Sequence, residues 1–284
     1  MSANPLQRYF RRPALWVKLP TLGKWYQNNE VRYNENFEVQ VYGITAIDEI
    51  LINTPDALFN GHALESVIRS CIPEVYDIKS LLQPDLEALF LGIKSASSNG
   101  KYEITRTCKK CTHENTFDLN CNHLLDSMRY LEDSDAVVNV GNDIKVHVKP
   151  YDFDMRSLFI KRQLEERKTL SLIENDTEID DNLLKASKYA KSLEEMTKLT
   201  FRLMSESIVA VEILGRDAQY VTDKDHISEW MLNVNKQTAS SIIEAVNALN
   251  ALGPQRSTTA VCQNCSHTWE ESLNFDPTVF FTQR

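Results

Sequence analysis

The chain has 284 residues, 42% of them hydrophobic and 25% charged, with a formal net charge of -9. That composition suits one large or two modest globular domains and excludes a disordered or fibrous protein. No apolar run approaches the ~18 residues of a membrane span, and the N-terminus lacks the continuous apolar stretch of a signal peptide, so the expected compartment is the cytoplasm. The acidic balance argues against the chain as a whole binding nucleic acid, because a phosphate backbone is gripped through Lys and Arg.

The first residues break the acidic trend. Residues 1–30 carry Arg8, Arg11, Arg12, Lys18 and Lys24 against Glu30 alone, interleaved with Tyr9, Phe10, Trp16, Trp25 and Tyr26. Pro5, Pro13 and Pro20 favour extended backbone, so residues 1–36 are expected as a basic, aromatic arm that docks on a protein partner. Residues 37–103 read as a mixed strand and helical region. Phe37-Glu-Val-Gln-Val-Tyr-Gly alternates like a half-buried strand, Thr45 caps a short helix that stops before Pro55, and a second helix runs from Gly61 to Pro73. Pro84 stands at a helix start, and Leu86, Leu89, Phe90 and Ile93 form an apolar stripe ending in Ser95-Ala-Ser-Ser-Asn-Gly100.

Tyr102-Glu-Ile-Thr-Arg-Thr leads into Cys108-x2-Cys111, and residues 113–119 lead out, a hairpin with a knuckle at its tip. Residues 122–257 read as an insert. It holds a β-hairpin (Ala136-Val-Val-Asn-Val, a turn at Gly141, Ile144-Lys-Val-His-Val-Lys) and a small helical bundle. The bundle rests on three stripes: Met196, Leu199, Thr200 and Leu203; Ile227, Trp230, Met231 and Val234; Ile242, Ala245, Val246 and Leu249. The acidic run Glu174-Asn-Asp-Thr-Glu-Ile-Asp-Asp reads as a solvated loop, with no glycine at the calcium-loop position. The second dyad, Cys262-x2-Cys265, lies in a matching hairpin at residues 258–273.

The two dyads share their surroundings. Thr-Cys-Lys-Lys-Cys-Thr-His and Val-Cys-Gln-Asn-Cys-Ser-His both place a small polar residue and a histidine after the second thiol, and Leu119 and Leu273 each stand eight positions beyond it. One dyad could be a redox pair, but two matched dyads supply the four thiolates of a closed structural zinc site. The 150 residues between Cys111 and Cys262 exceed the ~15–20 of an ordinary ribbon, so one shared ion requires a split ribbon, 104–121 with 258–281, closed across the insert. Cys108, Cys111, Cys262 and Cys265 are the candidate ligands of one structural zinc. His113 and His267 could each replace a thiolate but read as neighbouring or packing residues, Cys121 and His123 form a third possible ligand pair, and Cys71 reads as a buried free thiol.

The fold class expected is α+β, mainly helical, with short β-hairpins and the split zinc ribbon. Only eight glycines occur, with no G-x-S-x-G, G-x4-G-K-[ST], G-x-G-x-x-G or H-E-x-x-H, so neither an enzyme nor a small-molecule substrate is expected. Two competing classes are a zinc-ribbon nucleic-acid-binding protein, using Lys109, Lys110 and the arm, and a thiol redox protein using Cys108 and Cys111.

Leu19-Pro-Thr-Leu-Gly-Lys-Trp-Tyr, Glu38-Val-Gln-Val-Tyr-Gly-Ile-Thr-Ala-Ile-Asp-Glu-Ile-Leu and Asn60-Gly-His-Ala-Leu-Glu-Ser-Val-Ile-Arg-Ser-Cys-Ile resemble the baseplate hub proteins of T-even-type contractile-tailed bacteriophages. The ending Leu273-Asn-Phe-Asp-Pro-Thr-Val-Phe-Phe is similar to the C-terminal pattern of that family. The resemblance covers roughly the first 120 and last 25 residues, and none of it falls in the helical insert. It implies a virion structural component or assembly factor of the tail baseplate, assembled in the host cytoplasm, whose partners are other baseplate and hub proteins and which has no membrane contact.

Overall fold

Leu15–Lys18 alternates inward and outward side chains, and in this computed structural model of the chain it forms strand β1, antiparallel to β2 (Glu38–Val41). Val17, Leu19, Val39 and Val41 are buried on one face, while Trp16, Lys18, Glu38 and Gln40 occupy the other. The structure describes residues 4–54, 62–98, 100–158, 182–215, 218–273 and 275. They divide into two units, 1–131 with 252–284, and 132–251, where the sequence placed an insert over 122–257. The arm expected over 1–36 is shorter: residues 4–14 are exposed, but Val17, Leu19, Thr21 and Val31 belong to the core because their alternation completes a strand and its turn. The Glu174–Asp181 run, the Phe280-Phe281 end and the side chains of the Met196, Leu199, Thr200 and Leu203 stripe lie outside the described residues.

Helix α1 (Ala46–Ile52) starts as expected at Thr45. The Thr45 side chain accepts from the Asp48 N–H, and the Asp48 carboxylate accepts in return from the Thr45 N–H at 2.7 Å. Helix α2 (His62–Cys71) follows, then α3 (Gln83–Ser98). The stripe Leu86, Leu89, Phe90 and Ile93 is core, but Ala88 and Leu91 are equally buried, so α3 is enclosed on nearly all sides. Each such large side chain contributes about 1.5–3 kcal/mol by leaving water. Gly92 permits the enclosure: a Cβ there would stand 2.6 Å from Val17 Cγ2.

Enclosing α3 also buries Asp85 and Glu87, and both find partners. Asp85 accepts from the Thr21 N–H and hydroxyl and from the Tyr26 hydroxyl at 2.6 Å, which fastens the turn after β1 to the start of α3. Glu87 accepts from Gln83 and from Arg256, whose two nitrogens stand 2.8 and 3.1 Å from Oε2. Strands β3 (Lys101–Thr107) and β4 (Glu114–Asn120) and helix α4 (Cys121–Asp126) complete this part of the first unit, and Ser95 donates to Asn122 at 2.6 Å.

The second unit contains the expected hairpin, β5 (Val137–Val140) with β6 (Ile144–Val148). Helix α5 (Asn182–Ser207) runs directly into β7 (Ile208–Ile213), which pairs with β6 and with β8 (Gln219–Val221), giving an antiparallel sheet in the order β5-β6-β7-β8. The insert is therefore not a hairpin plus a helical bundle. Ile208-Val-Ala-Val-Glu-Ile is a β-branched run with no turn residue separating it from the helix, so helical periodicity masks where the strand starts. Helices α6 (Lys224–Asn233) and α7 (Lys236–Asn250) bury Ile227 and Met231, and Ile242, Val246 and Leu249, as their stripes foretell.

The chain re-enters the first unit as an antiparallel bridge, Arg129 with Gly253, whose N–H groups each donate to the other's carbonyl. Gly253 has φ +90°, and a Cβ on it would meet the Pro84 carbonyl at 3.2 Å and Pro20 at 3.3 Å, so this crossing requires glycine. Strands β9 (Ser257–Val261) and β10 (Thr268–Ser272) form the last hairpin. The described residues make the protein α+β.

Burial pushes the Asp85 carboxyl up to about 6 against the hydrogen bonds from Thr21 and Tyr26 that lower it. Since the unfolded value is ~3.9, the folded state holds this proton the more tightly. The stabilisation is complete below about pH 4 and is lost as pH rises through the folded value, a swing of roughly 3 kcal/mol. Asp85→Asn should abolish the swing. The urea-midpoint difference between wild type and variant should then change between about pH 4 and about pH 7, and a difference that stays constant would show that Asp85 titrates as an ordinary carboxyl.

Candidate metal centre

The tips of the two hairpins of the first unit fold alike. Thr107 pairs with Glu114 and Val261 with Thr268, leaving six residues in each turn. The Cys108 N–H donates to the His113 carbonyl at 2.8 Å and the Cys262 N–H to that of His267 at 2.9 Å. Thr112 and Ser266 donate back to the carbonyls of Cys108 and Cys262, at 2.9 and 3.0 Å, with φ of +56° and +55°. A left-handed residue after each Cys-x2-Cys turns the chain back, so that both thiols of a knuckle face the same side.

The four thiols meet. Cys108, Cys111, Cys262 and Cys265 place all their sulfurs within 4.8 Å of one another. Each first cysteine faces the second cysteine of the other knuckle: Cys108 to Cys265 is 3.8 Å and Cys111 to Cys262 is 3.5 Å. Four thiolates ~2.3 Å from one tetrahedral ion stand about 3.8 Å apart, whereas a disulfide requires ~2.05 Å, so the spacing fits a metal cage and not a bond. Cys108 and Cys262 are buried and Cys111 and Cys265 half-buried. Electrostatically the cluster is crowded. Burial raises the Cys262 thiol, but backbone N–H groups of Cys265 and Asn264 and the Cys111 thiol outweigh it and hold Cys262 down to about 6. The His267 N–H lowers Cys265, but the other thiols outweigh it and push Cys265 up to about 12.

Contacts below the thiols join the same two hairpins. Arg106 Nε donates to Glu271 at 2.6 Å, and Trp269 Nε1 donates to the other oxygen of that carboxylate at 3.0 Å. Burial raises Glu271, yet the indole N–H and the Arg106 guanidinium hold it below the usual carboxylate range. Buried Asn115 accepts from the Gln263 N–H at 2.9 Å and donates to the His113 carbonyl at 2.9 Å. Phe117 packs edge-on against Trp269, with ring centres 6.0 Å apart.

The remaining sequence candidates fall elsewhere. His267 stacks on Trp269 and His113 is exposed; neither belongs to the thiol cluster. Cys121 opens α4 as a buried thiol raised to about 11 by burial, which the Lys94 ammonium partly offsets, and His123 is exposed. Cys71 is a buried thiol at the end of α2, likewise raised to about 11 by burial. Arg106, Asn115 and Glu271 were not foreseen. Asn115 and Trp269 hold equivalent places in the two hairpins, seven residues beyond each first cysteine, and comparison of the repeats at that position points to a cross-contact.

The fold and site define a class: an α+β protein whose grouped chemical side chains are four thiols capable of holding a metal ion. A family model described as T4 bacteriophage base plate protein matches residues 24–282, and the chain belongs to that family. It is a structural protein of the phage tail baseplate, working in the virion tail among other tail proteins. Comparison with curated proteins and with solved structures gives no match.

The Arg106–Glu271 pair is largely shielded, with side chains 28% and 18% exposed. In a double-mutant cycle with Arg106→Met and Glu271→Gln, urea unfolding should return a coupling of about 1–2 kcal/mol. Additive single effects would mean that the pair does not hold the hairpins together.

Proposed function

We propose that the chain is a zinc-stapled component or assembly factor of the hub region of a contractile-tail baseplate. One zinc ion held by Cys108, Cys111, Cys262 and Cys265 closes a split ribbon, and the exposed N-terminal arm docks on neighbouring subunits. The observation that carries the reading is the convergence of four sulfurs from two hairpins 151 residues apart in the chain. All-thiolate donors at tetrahedral spacing suit zinc in a closed structural site, where the ion stabilises the fold and leaves no position open for a reaction. Here it would fix the C-terminal hairpin beside β3 and β4.

Binding to nucleic acid fits less well. Arg11, one of the arm's cations, is spent inside the protein, donating to the carbonyl and hydroxyl of Ser70 at 2.6 and 2.7 Å and to the Gly43 carbonyl.

Metal analysis of the purified chain should find one zinc per molecule. Cys262→Ser should lower that content and raise amide exchange in both hairpins, residues 101–120 as well as 257–272. Loss of protection in the second hairpin alone would refute the shared ion. Deleting residues 1–10, which keeps the Arg11 anchor, should leave zinc content and the unfolding midpoint unchanged yet abolish co-assembly with the other tail proteins; normal co-assembly would remove the arm from its docking role.

A further inference from the structure

We infer that the N-terminal arm of one copy docks in a groove on a second copy, joining chains head to tail. The inference extends the reading of the arm as a docking segment by naming its partner. Residues 4–10 form a short 3-10 turn, Pro5–Tyr9, capped by Asn4 and burying nothing. Leu6, Tyr9 and Phe10 are 62%, 70% and 59% exposed, with Arg8 and Arg12 as the cations beside them. The root of this segment is fixed: Arg11 is held by Gly43 and Ser70, 3.7 Å from Asp48, with its guanidinium over the Tyr42 ring. The arm is thus displayed at the Gly43 end of the β1–β2 pair.

The complementary feature lies toward the other end of the same pair. A cavity of about 290 Å³ opens beside Lys18 and Glu38. Trp16, Leu125, Met128 and Tyr130 supply apolar walls, and Glu38 and Asp126 its carboxylates. Its single cation, Lys18, sits over the Tyr130 ring at 4.7 Å. Aromatic side chains among cations thus face an aromatic-walled groove with two carboxylates. The chain's own arm is exposed, with its root at the opposite end of the strand pair, so the groove is open to the arm of another copy. A contact between two different patches of identical chains is heterologous, and repeats around a ring or along a filament.

The test is sedimentation of the purified full chain, without other tail proteins. Wild type should associate with rising concentration, less so at high salt. Arg8→Glu and Asp126→Lys, both at exposed positions, should each weaken association about tenfold or more while leaving the unfolding midpoint unchanged. Mixing the two variants should restore assembly, because each arm then meets a groove of opposite charge. Phe10→Ser should weaken association, and Arg8→Glu should not rescue it, because both variants carry an altered arm. A wild type that stays monomeric up to its solubility limit, or a mixture of charge variants that fails to associate, overturns the inference. If such a monomer still co-assembles with other tail proteins, self-docking alone fails and the arm's role toward other subunits stands.

Discussion

The C-terminal segment has to return to the middle of the chain across the whole second unit, and the architecture of the first unit depends on that long closure. The entropy of closing a loop rises slowly with its length, about 0.6 kcal/mol per doubling, so a large insert costs little more than a small one. What matters is that the return be specified. It begins at the Arg129–Gly253 bridge, where Gly253 fits against Pro20 and Pro84. Arg256 then reaches Glu87 on the buried α3, and the Leu273 N–H donates to the Arg256 carbonyl at 2.7 Å. Only beyond these contacts do Arg106 with Glu271 and Asn115 with Gln263 bring the thiols together. The cysteines lie at the far end of a path that protein contacts lay down.

Those contacts are too few to hold the hairpins by burial. A two-stranded hairpin is marginal alone in water. The strands here bury little: Tyr102 and Ile104 on β3, Asn115 on β4 and Ala260 on β9, while β10 has no fully buried residue. The tips therefore lack the apolar surface from which a core is made, and four sulfurs occupy the place of one. A metal ion suits this division of labour, because its bonds draw on ligand geometry and not on area. The Arg106–Glu271–Trp269 group adds direction, since a fork of donors around one carboxylate fixes how the second hairpin lies on the first.

The parts legible in the sequence were those governed by local rules. The Thr45 cap, the hairpin around Gly141 and the matched knuckles each follow from residues a few positions apart, and all three are present. Nonlocal features were hidden. The α3 stripe foretold one buried face, but enclosure of the whole helix depends on Gly92 admitting β1, a contact across more than seventy residues. Asp85 stands in a first helical turn, where acids are common, and its burial under Thr21 and Tyr26 has no local signature. Strand β7 was missed because neither proline nor glycine separates it from α5, and its pairing with β6 outweighs helical propensity. The cysteine cluster was legible in spite of its span, since the two dyads repeat their flanking residues.

The same reasoning separates the arm from the strand that follows it. Both are rich in aromatic side chains, yet Leu15–Lys18 finds a partner strand and residues 4–10 do not. Arg11 stands at the boundary. Its guanidinium meets two carbonyls, a hydroxyl and the edge of a carboxylate, so the chain is fixed one residue after Phe10. A segment anchored at its root loses less freedom on docking than one on a slack tether, and more of its contact energy appears as affinity. Stability of the first unit gives no reason to present Leu6, Tyr9 and Phe10 to water beside such an anchor. Partner binding does, which accords with a structural protein of the phage tail baseplate.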